Sequence, residues 1–196
     1  MAERGSAFSP RVYESVDSTN TVLAALAREG APEFTAVIAG AQTAGRGRGE
    51  HRFFSPAGCG VYFSLLLRPR FPAETAAKLI TPASAVAAAQ AIERVSGETA
   101  GIKWVNDIFV RGRKVCGILT EAAADGSGGL AWVIPGIGIN VRAPEGGYPA
   151  EISGTAGAVY PGEAPEDAAA RLAVETIDRL IELYRAMPAC GFRAEY

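Results

Sequence analysis

The residues best suited to chemistry lie in AGRGRGEHRFFSPAGCGVYFSLL, residues 44–66, with three arginines, one histidine and five glycines just before an apolar run. The glycines allow backbone conformations closed to other residues, so successive N–H groups can converge on an anion. Arg46 and Arg48 add forked, permanently charged donors that suit a phosphate or a carboxylate. A solvated basic loop between two strands is the alternative, because such loops are common. The spacing matches neither a GxxxxGK[ST] phosphate loop nor a GxGxxG dinucleotide fingerprint.

Polar side chains also interrupt the apolar pattern of KWVNDIF, residues 103–109. Burying Lys103, Asn106 or Asp107 without a partner would cost about 1–3 kcal/mol per group, so we expect partners for them. An ordinary turn with Asn-Asp at its tip is the alternative. We favour a functional role, because perturbed polar groups cluster at active sites.

Two later segments carry glycines inside apolar, strand-like sequence. In GRKVCGIL, Lys114 opens the run and Gly117 follows, and a glycine within a strand marks the close approach of a ligand or another backbone. In GIGIN, which ends at Asn140, alternating glycines leave one strand face without side chains, as a flat slot for a ring or chain. A solvated lysine and a tightly packed sheet are the alternatives.

Covalent catalysis and a resident metal ion are not indicated. His51 is the only histidine, and in an arginine loop it is more simply a cationic contact than a base. We find no Ser-His-Asp order, no metal-ligand cluster and no catalytic pair of carboxylates, and therefore expect no protein metal site.

The bulk composition narrows the class of protein. The 196 residues suffice for one hydrophobic core, and 19 Lys and Arg against 21 Asp and Glu argue against a broad nucleic-acid-binding face. No apolar run reaches the roughly 18 residues of a membrane span, and no secretory signal precedes the first strand. Cys59, Cys116 and Cys190 are far apart, which indicates reduced thiols in the cytoplasm.

The pattern of elements predicts an α+β fold with a mixed, largely antiparallel sheet flanked by helices. Strands are predicted at 11–16, 34–42, 60–69, 101–110, 113–123 and 129–141, with a hairpin turn at RGR, residues 111–113. Helices are predicted at 21–30, at 73–96 in one or two pieces around Pro82, and at 164–188.

Taken together, five blocks resemble the catalytic domain of biotin–protein ligases, within the biotin/lipoate ligase superfamily. They are DSTN, AQTAGRGRGEHRFFSPAGCGVYFSLLL, KWVNDIFV, GRKVCGILTE and GIGINV, and they cover residues 17–141. The resemblance implies that biotin and ATP, with Mg²⁺, first give biotinyl-5′-AMP, and that biotin then passes to a lysine of a biotin carboxyl carrier domain. It leaves open a homodimer and implies no nucleic-acid or membrane partner.

The resemblance also implies residue roles. Arg48 and Lys114 correspond to catalytic cations near the reacting carboxyl and phosphate oxygens. The implied biotin site comprises Ser18, Thr19, Gln42, Gly45, Arg46, Tyr62 and Gly117. The implied ATP and adenylate site comprises Arg46, Arg48, Asn106, Asp107, Lys114 and Asn140.

The sequence departs from the family pattern GRGRxGRxW at three positions. Glu50 replaces a glycine, His51 an arginine and Phe53 the tryptophan. The catalytic domain is expected to span residues 1–190, with 191–196 a stub where relatives begin a small β-barrel, and no DNA-binding domain is expected ahead of it.

Two other functions remain open from the sequence. Lipoate–protein ligases of the same superfamily tend to carry an RRxSGGGxVxH-type loop, which GRGRGEHRFFSP fits less well than the biotin pattern. A non-catalytic module that binds biotin or nucleotide is expected to have lost the lysine of GRKVCGIL, and Lys114 is present.

The departure at Glu50 generates a prediction, because it places a negative charge near the polyphosphate of ATP. We expect Glu50→Gly to lower the apparent KM for ATP in steady-state kinetics. An unchanged or raised KM would count against this interpretation of the loop.

Overall fold

A computed structural model describes residues 8–49 and 51–187, over which seven strands and four helices follow one another. Glu50, Pro188, Cys190 and the predicted stub at 191–196 lie outside the described residues. The strands are β1 (Ser9–Val16), β2 (Thr35–Gln42), β3 (Gly60–Leu65), β4 (Ala100–Lys103), β5 (Asp107–Val110), β6 (Arg113–Ala124) and β7 (Leu130–Asn140). The helices are α1 (Thr19–Arg28), α2 (Ala73–Ser96), α3 (Ala150–Ser153) and α4 (Ala168–Ala186).

The described strands form one sheet in the order β1-β2-β3-β7-β6-β5-β4. Only β1 and β2 are parallel, and α1 connects them; every other neighbouring pair is antiparallel. This confirms the predicted mixed, largely antiparallel sheet. The central position of β7, between β3 and β6, brings segments distant in sequence side by side.

The two faces of the sheet have different partners, because side chains alternate along a strand. On β3, Val61, Phe63 and Leu65 belong to the large core that α2 and α4 complete. The opposite face carries a smaller core around Leu23 of α1. The polar site described below lies on that second face. No helix within the described ranges combines the length and low polarity needed to cross a membrane.

One predicted strand differs from the structure, whereas the helix predicted at 73–96 is confirmed. The strand-like run at 101–110 is divided into β4 and β5 by a turn at 104–106, and the two strands pair antiparallel. Pro82 lies inside α2 and does not divide it, so α2 is one continuous helix. The RGR turn is confirmed, with Arg111 at φ 50° and Gly112 at φ 71°, as two-residue hairpins require.

The packing of α4 on the large core generates a stability prediction. Ile177 is fully buried, so Ile177→Ala should lower the free energy of unfolding by about 2–5 kcal/mol through lost burial and the cavity left behind. Val174 on the same helix is 45% exposed. Val174→Ala should therefore change the free energy of unfolding by less than about 0.5 kcal/mol. Urea denaturation measures the free energy of unfolding of both variants. Equal decreases in that free energy would contradict the placement of α4.

Candidate active site

A cavity of about 250 Å³ lies on the α1 side of the sheet, under the Gly/Arg loop. Its walls are the start of α1, the loop, the turn before β5 and the glycine-bearing parts of β6 and β7. The sequence-predicted residues that line it are Ser18, Thr19, Gln42, Arg46, Arg48, Asn106, Asp107, Lys114 and Gly117. Arg46, Arg48 and Lys114 therefore border one cavity, as an anion site requires.

The Gly/Arg loop is a narrow ribbon held by its own backbone. Gly47 N–H donates to the His51 carbonyl at 2.8 Å, and Phe53 N–H donates to the Gly45 carbonyl at 3.0 Å. Gly45 is buried, and a Cβ there would collide with the Phe53 carbonyl and the Ser55 hydroxyl. The glycine at this position is therefore required by close packing of the two limbs of the ribbon.

One row of cross-strand neighbours carries an aromatic ring. Tyr62 on β3 pairs with Gly138 on β7, and Gly138 pairs with Gly117 on β6. The Phe53 ring lies on the two glycines, because Cβ atoms at 138 and 117 would come within 2.5 and 2.8 Å of its carbons. Its edge meets Tyr62, with ring centroids 6.2 Å apart. The predicted flat slot is therefore present, and a ring of the protein itself lies in it.

The next row carries a buried amide. Ser64 pairs with Gly136, and Gly136 pairs with Leu119. Asn20 lies over this row: its Oδ1 accepts from Ser64 Oγ at 2.5 Å, and its Nδ2 donates to the Leu119 carbonyl at 3.3 Å. A Cβ at position 136 would collide with the Asn20 amide. Glycine at 136 thus allows α1 to begin directly on the sheet.

Hydroxyl and amide groups form the wall beside α1. The backbone N–H and the hydroxyl of Thr19 donate to Gln42 Oε1 at 2.9 and 3.2 Å, and Gln42 Nε2 donates to Ser55 Oγ at 3.0 Å. Ser18 and Thr19 are buried, with side chains 4% and 3% exposed. A wall of fixed donors and acceptors of this kind suits a small polar ring rather than a bulk apolar ligand.

The charged groups of the cavity are partly paired. Lys114 Nζ lies 2.6 Å from Asp107 Oδ1, and Arg46 makes a two-pronged ion pair with Glu121 at 2.9 and 2.7 Å. Arg48 has no ion-pair partner within residues 8–49 and 51–187. The pairing leaves Arg48 available to an anionic ligand, and Arg52 lines the cavity without an ion-pair partner among the same residues.

The polar residues of KWVNDIF differ in their surroundings: Asn106 has hydrogen-bond partners, Asp107 lies beside Lys114, and Lys103 is exposed rather than buried. Asn106 Nδ2 donates to the Ile118 carbonyl at 3.2 Å, and the Asn106 carbonyl accepts from Ile118 N–H at 2.9 Å. Asp107 Oδ1 lies within ion-pair distance of the Lys114 ammonium, but this buried oxygen accepts no hydrogen bond from the described residues. The Lys103 ammonium lies 5.7 Å from the centroid of the Phe109 ring. Asn106 and Asp107 line the cavity, whereas Lys103 does not.

Three sequence-predicted site residues do not line the cavity: Gly45, Tyr62 and Asn140. Tyr62 is buried beside Phe53 and donates to the Pro56 carbonyl at 3.2 Å. Burial raises the pKa of its phenol, and nearby Cys59 adds to the rise, so this group stays neutral at physiological pH. Asn140 donates to the Gly157 carbonyl at 2.9 Å, and Gly157 N–H donates to the Lys114 carbonyl. Asn140 thus supports the segment that pairs with Lys114.

Ten of the residues that line the cavity were not predicted as site residues, Asn20, Arg52 and Phe53 among them, and neither were Ser64 and Glu121, which bind lining residues. Asn20 stands in DSTN beside Ser18 and Thr19, and its position in that block was a signal. Phe53 was noted only as a substitute for tryptophan. Ser64 and Glu121 lie inside apolar strands, where an isolated polar residue is the available signal, but their partners are 44 and 75 residues away in sequence.

A larger groove of about 910 Å³ adjoins the cavity. The two share Arg48, Asn106, Ile118 and Leu119, and the groove continues between the first turns of α2 and the turn at Trp104. Arg48 therefore stands at the boundary between the smaller cavity and the larger groove.

The model of the biotin/lipoate A/B protein ligase family matches residues 12–140, more than half of the chain. The chain belongs to this family.

Curated relatives agree with this placement. The bifunctional ligase/repressor BirA of Bacillus subtilis is 43% identical over 140 residues, which cover 71% of this chain and 42% of that protein. The biotin–[acetyl-CoA-carboxylase] ligase of Paracoccus denitrificans is 40% identical over 152 residues, covering 76% of this chain and 58% of that protein. The chain thus matches about two fifths to three fifths of the length of these relatives.

Solved structures share the fold. The biotin protein ligase from Aquifex aeolicus in complex with biotin and ATP superposes with a TM-score of 0.77 at 27% identity, covering 95% of this chain and 74% of that one. The likeness extends over α4, beyond the residues that the family model matches.

The contact between Phe53 and the glycine row generates a prediction. Gly138→Ala should lower the free energy of unfolding by about 1–3 kcal/mol, because the new methyl overlaps the ring. Gly154→Ala is the matched control, since nothing lies within 4 Å of its Cβ position. Urea denaturation measures both variants.

A double variant tests the cause of that loss. Phe53→Ala removes the overlapping ring, so Gly138→Ala should be better tolerated in its presence than in the parent chain. If the two substitutions instead lower the free energy of unfolding additively, the Phe53 ring does not lie on the glycines.

Proposed function

We propose that the chain is an ATP-dependent biotin–protein ligase that makes biotinyl-5′-AMP and transfers biotin to a lysine of a biotin carboxyl carrier domain. The acceptor would belong to a biotin-dependent carboxylase. The observation that supports this most directly is the convergence of Arg46, Arg48 and Lys114 on one cavity with a hydroxyl and amide wall. The family and its named biotin ligases point the same way.

The first step joins two anions. A carboxylate oxygen of biotin attacks the α-phosphorus of ATP, an acyl–phosphate bond forms, and the bond to pyrophosphate breaks. Two like unit charges 4 Å apart repel by about 4 kcal/mol at an effective dielectric of roughly 20, so cations must oppose this repulsion. Arg48 and Lys114 border the cavity and supply positive charge for the reacting carboxylate and for the leaving pyrophosphate.

The second step transfers the acyl group. The acceptor lysine amine attacks the acyl carbon, the bond to AMP breaks, and the amine loses a proton. Lys114 suits both steps, because its ammonium is a compact charge on a long stem. Its backbone is fixed on both sides, since its N–H donates to the Thr155 carbonyl and its carbonyl accepts from Gly157, each at 2.8 Å.

The neutral wall is suited to the ureido ring of biotin. Ser18, Thr19 and Gln42 bring hydroxyl, amide and backbone groups to one side of the cavity, where they can donate to and accept from a cyclic urea.

Magnesium would enter as part of the nucleotide substrate. Asp107 is the only carboxylate among the described lining residues, and it is paired with Lys114. No group of three metal-ligating side chains occurs in the described part of the chain. This donor set fits an ion carried on ATP phosphates, which Mg²⁺ prefers to an all-protein cage.

The proposal predicts that two cations are essential. With biotin, Mg·ATP and a carrier domain, the chain should add one biotinyl group to the carrier, read as intact mass. Lys114→Ala and Arg48→Ala should each lower the rate by about 100-fold or more, as expected when a charge that stabilises the transition state is lost.

Arg94→Ala is the control, because Arg94 lies on α2, pairs with Glu175 on α4 and is remote from the cavity lining. Its rate should match the parent chain. An unmodified carrier, or full activity in both site variants, would contradict the proposal. Modification by lipoate instead of biotin would assign the chain to lipoate–protein ligases.

A further inference from the structure

Arg46 is bound by Glu121, a carboxylate in the block GRKVCGILTE to which the sequence resemblance assigns no role. Its two terminal nitrogens donate to the two oxygens of Glu121 at 2.9 and 2.7 Å, which is the strongest geometry for an ion pair. We infer that Glu121 is a positioning residue, which holds the Gly/Arg loop over the cavity through Arg46. This inference rests on the proposed function, whose biotin site it concerns.

Glu121 is itself held in place by a buried group. Asn20 is 4% exposed, and its Nδ2 donates to Glu121 Oε2 at 2.7 Å. The other end of that amide accepts from Ser64, so its orientation is determined. The carboxylate therefore stands on a fixed support that reaches from α1 across β7 to β6.

The ion pair between Arg46 and Glu121 is important because the Gly/Arg loop supplies much of the cavity lining. Arg46, Gly47, Arg48, His51, Arg52 and Phe53 all line the cavity. The ribbon's backbone hydrogen bonds are mostly internal, so they do not fix it to the sheet. Phe53 anchors one limb on the glycine row, and the pair between Arg46 and Glu121 anchors the other.

Pre-ordering this loop should strengthen ligand binding. A glycine-rich segment loses much conformational entropy when it is fixed. Without the Arg46–Glu121 pair, that entropic cost would reduce the free energy of ligand binding. The pair also neutralises Glu121, whose charge would otherwise repel a carboxylate or phosphate. With both terminal Arg46 nitrogens bound to Glu121, Arg48 and Arg52 are the lining arginines without an ion-pair partner among the described residues.

The test replaces the carboxylate with its neutral isostere. Glu121→Gln keeps the shape but turns an amide donor toward the guanidinium. We expect biotin to bind about tenfold more weakly in titration calorimetry with the whole chain, a change typical of one charged hydrogen bond. Trypsin should also cleave after the loop arginines faster than in the parent chain without ligand.

The matched control is Glu98→Gln. Glu98 pairs with Arg111 at 2.7 Å, and these side chains are 32% and 44% exposed, against 32% and 43% for Glu121 and Arg46. Neither residue of the control pair lines the cavity. This variant should keep the parent's biotin affinity and trypsin sensitivity, and both variants should unfold at similar urea concentrations.

Arg46→Gln alone and combined with Glu121→Gln shows whether the two residues act together. If Glu121 acts through Arg46, the double variant binds biotin no more weakly than Arg46→Gln. If the double variant's loss of biotin affinity equals the product of the two single-variant losses, the inference is overturned. So would tighter binding by Glu121→Gln, because the carboxylate would then compete with the ligand for Arg46.

The two proposals fail in different ways. A parent chain that binds no biotin would refute the proposed function. The trypsin comparison would still decide the role of Glu121, because equal cleavage of Glu121→Gln and Glu98→Gln without ligand would overturn it.

Discussion

Repulsion between like charges is the constraint on which this site depends. Arg46, Arg48 and Lys114 surround a cavity of about 250 Å³ in a chain whose formal net charge is −2. Cations this close raise one another's free energy unless anions offset them. The structure places a carboxylate on two of the three, Glu121 on Arg46 and Asp107 on Lys114, and the remaining positive potential suits an anionic ligand.

The carboxylates do more than offset charge. Asp107 and Lys114 lie on adjacent strands of one hairpin, so their pair stiffens the edge of the cavity. Glu121 lies farther along β6 and connects the loop to the sheet. Charge balance and mechanical support therefore come from the same contacts, and partially exposed pairs of this kind contribute more to geometry than to overall stability.

The glycines of β6 and β7 provide the room for this arrangement. Because register aligns Gly138 with Gly117, one aromatic ring spans both strands, and because it aligns Gly136 with Ser64, one amide reaches three segments. Any side chain at these positions would displace the ring or the amide. The polar face of the sheet thus works as a fitted base for the loop and for α1, while α2 and α4 fill the core on the other face.

The sequence alone determined the class of fold, most strand and helix positions and the chemistry of the loop, because hydrophobic period, turn residues and local motifs are properties of neighbouring residues. It also identified nine of the cavity's lining residues through the family blocks. Only the tertiary structure decided that Arg46 binds Glu121, 75 residues away, that Asn20 supports Glu121 across 101 residues, and that Phe53 lies in the predicted slot. These contacts depend on the register of β3, β7 and β6, and register between distant strands arises from the packing of the whole sheet rather than from any local pattern.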